Sequence, residues 1–311
     1  MRVFLAGATG VIGSRLVPML ISAGHHVTGM TRSPGKLAAL GAMGAEPVLA
    51  DALDGAVVSG AVAAARPDAV IHELTAIPAR INPRRVERDF ELNDRLRSQG
   101  TRILVDAARE AGAGIVIAQS IAFAYAPGVP GTVHVESDPL ARGGMRSFAR
   151  SAAALADLES AVLGVDGTVL RYGYLYGAGT AISREGSMGQ DLARRRMPIV
   201  GAGKGVWSFV HAEDAAGATV RALEGEHRGV YNIVDDEPAE VERWLPALAD
   251  SIGAPRPRRV PAFLARIVAG EYGVATMTQA QGASNSLART TLGWTPEHPT
   301  WREGFTGALD S

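Results

Sequence analysis

The feature that most constrains this chain is the run Gly7-Ala8-Thr9-Gly10-Val11-Ile12-Gly13, a GxxGxxG pattern set between two apolar segments. Val3-Phe4-Leu5-Ala6 before it reads as a buried strand. Ile12, Leu16 and Leu20 after it stand at helical spacing within a helix predicted over 11–23, which Gly24 ends. In a strand–turn–helix unit each glycine has a separate task. The first permits the tight turn, the second lets a diphosphate approach the backbone, and the third allows close contact between helix and strand. The free amides and partial positive charge of the helix start then face the anion. Gly7, Ala8, Thr9, Gly10, Val11, Ile12 and Gly13 are therefore expected to form a dinucleotide-binding loop.

The rest of the first half repeats this alternation of strand and helix. Strands are expected at His26–Met30, Pro47–Ala50, Ala69–His72, Ile115–Ala118 and Gly167–Arg171. A long helix is expected over 86–112, with a break near Gly100, and Pro18 should cost the first helix a hydrogen bond. The fold class is α/β: a Rossmann-type doubly wound parallel sheet, with ligands at the strand C-terminal ends. After Arg171 the rhythm changes, and only Tyr231–Val234 reads as a strand returning to the sheet. We assign 1–171, with a returning segment at about 206–236, to the dinucleotide-binding domain. The segments 172–205 and 237–311 are assigned to a small C-terminal substrate-binding lobe.

Composition excludes several alternatives. The chain has no cysteine, so disulfides, thiolate metal sites and a cysteine nucleophile are ruled out. A formal net charge of −1 gives no electrostatic footprint for nucleic acid or an anionic membrane. No segment has the roughly twenty apolar residues that span a bilayer, and a soluble, cytoplasmic protein with a small-molecule substrate is the expectation. No His/Asp/Glu cluster has recognisable ligand spacing, so no metal is expected.

The end of the second strand bears on the ribose. A carboxylate there would bind the 2′-hydroxyl of NAD. Here the segment is Met30-Thr31-Arg32-Ser33, with Lys36 close behind. Thr31, Arg32 and Lys36 suit a 2′-phosphate, since a guanidinium fork and an ammonium both favour phosphate oxygens. The pattern favours NADP(H) over NAD(H).

These residues resemble the NAD(P)-dependent epimerase/dehydratase family, an extended and atypical branch of the short-chain dehydrogenase/reductase superfamily. Asp51-Ala52-Leu53-Asp54 resembles the segment after the third strand that contacts adenine, which implies roles for Asp51 and Ala52. Ile71-His72-Glu73-Leu74-Thr75-Ala76 resembles the fourth-strand motif, implying that Leu74, Thr75 and Ala76 line the cofactor. Leu92-Asn93 and Thr101–Leu104 are similar to the helix bearing the family's structural asparagine, here Asn93. Leu170–Gly179 is similar to the stretch that passes the nicotinamide, which implies a cofactor contact for Tyr172. Phe209–Asp214 and Leu292–Pro296 resemble two C-terminal signatures. The resemblance also implies a homodimer.

One departure matters. The family's redox centre pairs a tyrosine with a lysine four residues later, beside a serine after the fifth strand; the phenol moves the proton as hydride moves. Lysine occurs only at Lys36 and Lys204, and none of the six tyrosines has one four residues on. In the matching register Phe148 and Ala152 take the two places. Ser120 keeps the serine position. The remaining candidates for proton transfer are Ser120, Tyr174 and Tyr125, and those for substrate contact are Tyr174, Trp207 and His211. The expected activity is an NADP(H)-dependent oxidoreductase of a small carbonyl or alcohol, with a non-standard proton-transfer arrangement. The alternatives are an isomerase, cyclase or lyase on the same scaffold, or a dinucleotide-binding sensor without turnover.

Overall fold

The computed structural model describes residues 1–82, 85–129, 131–141 and 148–310. Seven strands form one parallel sheet: β1 (Arg2–Ala6), β2 (His26–Thr31), β3 (Glu46–Leu49), β4 (Ala69–His72), β5 (Ile115–Ile121), β6 (Thr168–Tyr172) and β7 (Gly229–Ile233). Their order is β7-β6-β5-β4-β1-β2-β3, so the order reverses between β1 and β4. Ligands of doubly wound sheets bind outside the strand ends at that reversal. The returning strand, expected at Tyr231–Val234, runs from Gly229 to Ile233 and pairs in parallel with β6.

The strands are apolar on both sides because helices cover both faces. Val3 and Leu5 of β1 pack with Leu16 and Leu20 of α1 (Gly13–Ser22), and with residues of a helix running Ala212–Glu224. Phe4 and Ala6 point the other way, towards Val58 and Val62 of α2 (Gly55–Ala65) and Leu104 of α3 (Thr101–Glu110). Leu158 of α4 (Ala149–Leu163) completes that side. Helix α1 runs through Pro18, which lies exposed.

The long helix expected over 86–112 is segmented. Short turns at Val86–Asp89 and Glu91–Arg95 lead into a π-helical turn at Leu96–Gly100, and only then does α3 begin. Such π turns recur at functional sites because one extra residue re-aims the side chains around them.

A second core lies in the C-terminal part. Tyr176, Phe209, Trp244, Trp301 and Phe305 bury against one another, drawn from strands, from the helix Val241–Ser251 and from the helix Trp301–Gly307. Trp207 and Phe209, within the expected returning segment, belong to this core rather than to the sheet. No helix among the described residues is long and apolar enough to cross a membrane.

Candidate active site

The glycine loop follows β1 at the point where the strand order reverses. Gly7 has φ +95°, and a Cβ there would lie 2.6 Å from the Glu73 carbonyl group. A Cβ at Gly13 would meet the Gly7 oxygen at 2.2 Å, so only glycine lets α1 seat this close to the loop. At Gly10 the nearest obstacle, the Gly7 oxygen, is 3.2 Å away. Gly10 is thus the position whose backbone stays open to a ligand. Ala8 and Ile12 are buried, while Thr9 and Val11 are half-buried at the loop surface.

The β2 end lies beside this loop. Thr31 Oγ1 is 3.3 Å from Thr9 Oγ1 and accepts from the Ser33 amide at 3.2 Å. Lys36 Nζ reaches the Thr9 carbonyl at 3.5 Å. Arg32 is exposed and, among the described residues, makes no ion pair. Arg32 and Lys36 thus stand at the β2 end beside the first loop. Asp51 is exposed and closes the turn after β3 by accepting from the Leu53 amide, and Ala52 is buried beneath it. Glycines that a Cβ would overfill fit the close approach of a dinucleotide's diphosphate.

Behind β4 the polar groups are locked. His72 Nδ1 accepts from the Leu74 amide at 3.1 Å, which leaves Nε2 to donate to Thr101 Oγ1 at 3.0 Å. Burial, reinforced by the charge of Arg97, pushes the imidazole pKa down to about 4. Asn93 accepts from the Ala76 amide through Oδ1, holding the half-exposed segment Leu74-Thr75-Ala76 in place; its Nδ2 has no partner among the described residues.

Tyr172 departs from its expected role. It is buried in the core, and its hydroxyl lies 3.1 Å from Glu73 Oε1 and 2.6 Å from Thr219 Oγ1. Burial pushes the Glu73 carboxyl pKa up to about 8. The Tyr172 hydroxyl thus joins Glu73 to Thr219, whose own hydroxyl lies 3.0 Å from the Ala215 carbonyl. Tyr172 therefore braces the sheet from within the core, while Glu73 Oε2 has no partner among the described residues.

Ser120 and Tyr125 depart as well. Ser120 is buried and donates to Glu159 Oε1 at 2.7 Å. Arg171 grips the same carboxylate with Nε at 2.9 Å and Nη2 at 2.6 Å. Tyr125 accepts from Arg171 Nη1 at 2.9 Å and donates to Asn232 Oδ1 at 2.6 Å. Strand alternation turns Ser120 towards α4, whereas its neighbours Gln119 and Ile121 remain half-exposed. Both hydroxyls are thus spent on a buried ion-pair network. Burial alone would lower the Arg171 pKa, but the Glu159 carboxylate more than reverses that and holds it above its ordinary range.

The head of α4 carries Phe148, and Ala152 is buried one turn on. Phe148 stacks on Tyr272, with ring centroids 5.8 Å apart. Tyr272 belongs to the helix Ala262–Thr278, so the C-terminal part delivers a phenol beside the position where the family's tyrosine would stand. Tyr174 lies between Phe123 and Trp207 in a three-ring stack, at 4.2 and 3.7 Å. Burial, with Tyr272 nearby, holds the Tyr174 phenol well above its ordinary pKa. Neither phenol hydroxyl has a hydrogen-bond partner among the described residues. Trp207 donates its indole N–H to the Thr276 carbonyl and, with Tyr272, walls a cavity of about 560 Å³ that also includes Met197 and Val260.

His211 is not in this cleft. It is fully buried, donates through Nε2 to the Ala308 carbonyl at 3.1 Å and accepts from the Glu213 amide through Nδ1. With Asp214 and His298 it forms a compact group of the kind that can hold a metal. Asp214, however, already accepts from the Glu297 and His298 amides and from the His298 ring. The group ties the C-terminal turns to the start of the Ala212–Glu224 helix.

Sequence reasoning missed Arg97, Tyr272, Glu73 and Glu159. Only Arg97 left a signal: Asn93, Arg97 and Thr101 recur every four residues, on one helical face.

Fold and glycine cradle together define an α/β dinucleotide-binding enzyme. A family model described as the NAD dependent epimerase/dehydratase family matches residues 3–234. The chain belongs to that family. It is 43% identical over 312 residues to 3-diazoavenalumate denitrifying reductase of a Streptomyces species, covering 98% of this chain and 99% of that one. It is 29% identical over 283 residues to dTDP-4-dehydrorhamnose reductase of Streptomyces griseus, covering 83% and 84% of the two chains. Among solved structures, a human epimerase family protein with NADPH superposes with TM-score 0.74 at 20% identity, covering 99% of both chains. UDP-glucose 4-epimerase of Thermotoga maritima gives 0.78 at 20% identity, covering 99% and 97%. The two solved structures share the fold, and the two sequence relatives are named as reductases. This chain is a dinucleotide-dependent oxidoreductase.

Proposed function

We propose that this enzyme is an NADP(H)-dependent reductase of a small aromatic molecule bearing a diazo group, which it replaces by hydrogen. The observation that carries the reading is the head of α4: Phe148 and Ala152 stand where the family has an acid and the lysine that tunes it. The cofactor cradle, by contrast, is intact. A reduced nicotinamide supplies one hydride. A carbonyl acceptor needs a proton on oxygen as well, which is the work of the missing phenol. An aryl diazonium does not. Its ring carbon takes the hydride, the carbon–nitrogen bond breaks, and the electron pair of that bond leaves with dinitrogen. Charge and atoms balance without a protein acid. The relative at 43% identity is named for a diazo compound and for loss of its nitrogen.

The protein's part is then to bind, orient and exclude water. Gly7, Gly10 and Gly13 would admit the diphosphate, and Arg32 and Lys36 would hold the 2′-phosphate, so that NADPH binds more tightly than NADH. Phe148 and Trp207 provide apolar walls for an aromatic ring, while Tyr174, covered on both faces by Phe123 and Trp207, offers its edge and hydroxyl. One observation favours a second reading: the unpartnered Tyr174 hydroxyl could protonate a carbonyl oxygen.

The test supplies NADPH deuterated at the transferable position, together with either an aryl diazonium carrying a carboxylate or a small ketone. The expected result is nicotinamide oxidation with dinitrogen release and deuterium on the ring carbon. Reduction of the ketone alone, abolished in Tyr174→Phe, would overturn it in favour of the second reading.

A further inference from the structure

Arg97 is 5% exposed, yet its guanidinium makes no hydrogen bond and no ion pair among the described residues. A buried charge without a partner is costly, and proteins normally pair it. Burial lowers its pKa to about 10, offset in part by Asp94 and Tyr272, so it stays protonated at neutral pH. Its surroundings do not neutralise it. His72, whose ring feels the Arg97 charge, is uncharged at that pH. Asp94 is bound through Oδ2 to Arg150 Nε at 3.0 Å, and its Oδ1 has no partner among the described residues. Arg97, Arg150 and Asp94 therefore sum to one positive charge.

The unpartnered groups around Arg97 are chiefly donors. Asn93, one helical turn earlier, is fully buried; its Oδ1 accepts from the Ala76 amide, and its Nδ2 has no acceptor among the described residues. The Tyr272 phenol feels the charge of Arg97, and Tyr174 in turn feels Tyr272. Arg97 itself sits in the π-helical turn Leu96–Gly100. Phe148 links this group to the head of α4 through its stack on Tyr272.

We infer that Arg97, with Asn93 Nδ2 and the Tyr272 hydroxyl, forms an oxyanion-binding site that receives an acidic oxygen, carboxylate or phenolate, of the aromatic substrate. The guanidinium fork accommodates either oxygen, and a ligand oxyanion completes both the unpaired charge and the orphaned amide. The aromatic rings beside it hold the substrate's ring. This inference rests on the reading of the cleft as the site of reduction, but it concerns binding and is measured without turnover.

The experiment loads the full-length protein with NADP and titrates it with cinnamate, 4-nitrophenolate and uncharged cinnamamide, following tryptophan fluorescence and calorimetry. At least one anion should bind more tightly than the amide. Arg97→Gln should weaken that anion by about 10- to 100-fold, the range for a lost hydrogen bond to a charged group, and leave cinnamamide unchanged. Arg97→Lys should recover part of the loss. Loss confined to cinnamate assigns a carboxylate, and loss confined to 4-nitrophenolate a phenolate. Tyr272→Phe, which removes only a hydroxyl, should cost the same anion about threefold to tenfold and serves where Arg97→Gln does not fold. Anion affinities equal to wild type in a folded Arg97→Gln or Tyr272→Phe protein overturn the inference. Anion binding that depends on Arg97 without any reduction of a diazo compound leaves it standing and removes the proposed reaction instead.

Discussion

Replacing Glu159 by alanine tests whether Ser120 and Tyr125 serve structure rather than chemistry. The Glu159 carboxylate accepts three hydrogen bonds, from Ser120 Oγ, Arg171 Nε and Arg171 Nη2, and the two ionic side chains are 7% and 5% exposed. Deleting it leaves the guanidinium, among the described residues, with only the Tyr125 hydroxyl and the Glu136 carbonyl. Breaking such a buried pair from one side costs about 3–5 kcal/mol, chiefly because the surviving charge stays buried and uncompensated. For a chain of this size that should lower Tm by roughly 10 °C. Ser120→Ala removes one bond to a carboxylate that keeps its arginine, so it should cost about 1–2 kcal/mol and leave turnover near wild type. The double replacement Glu159→Leu with Arg171→Met should recover most of the loss, since an apolar pair of similar volume needs no compensation. Scanning calorimetry and urea unfolding, read beside steady-state rates, settle the matter. A Ser120→Ala protein of unchanged Tm that turns over ten times more slowly would refute the reasoning and restore Ser120 to the chemistry.

Three further outcomes are expected. Gly13→Ala drives a Cβ into the Gly7 carbonyl, so dinucleotide binding should fall below detection by fluorescence titration in a protein that still folds. Arg32→Ala should weaken NADPH about tenfold, as for one hydrogen bond to a charged group, and leave NADH unchanged; equal losses for both would refute a 2′-phosphate contact. The third concerns pH. Glu73 titrates near 8 in the fold and near 4.5 when unfolded, so the stability of its neutral form is fully present below 4.5 and lost as pH rises through 8. His72 has the opposite sign: its folded pKa of about 4 lies below its ordinary 6.5, so its stability is present above 6.5 and lost as pH falls through 4. Above pH 6.5 the His72 term no longer changes, whereas Glu73 and Asp235, whose buried carboxyl is likewise held well above its ordinary range, act in the same direction. Denaturant melts should therefore weaken between pH 6.5 and 8.5, and Glu73→Gln should reduce that slope.

The sequence by itself determined the sheet and the cradle. Both follow from short-range rules: alternating apolar strands covered on two faces, and glycines at the three points of one turn where a Cβ cannot fit. It also determined what is missing, because Phe148 and Ala152 cannot transfer or tune a proton whatever surrounds them. The fates of the polar residues were beyond its reach. Ser120, Tyr125 and Tyr172 stand at positions that read as cleft-facing, yet each hydroxyl is taken by a partner far along the chain: Glu159, Asn232 and the pair Glu73 and Thr219. The reverse holds for Tyr272 and Arg97. Nothing local marks a tyrosine in the C-terminal helix as a neighbour of Phe148, and the four-residue recurrence that puts Arg97 on the face of Asn93 and Thr101 does not show that its charge stays unpaired. A side chain's chemistry is written in its type, but whether that chemistry is spent or free depends on which distant groups the packed fold brings within hydrogen-bonding reach. Only the tertiary structure decided that.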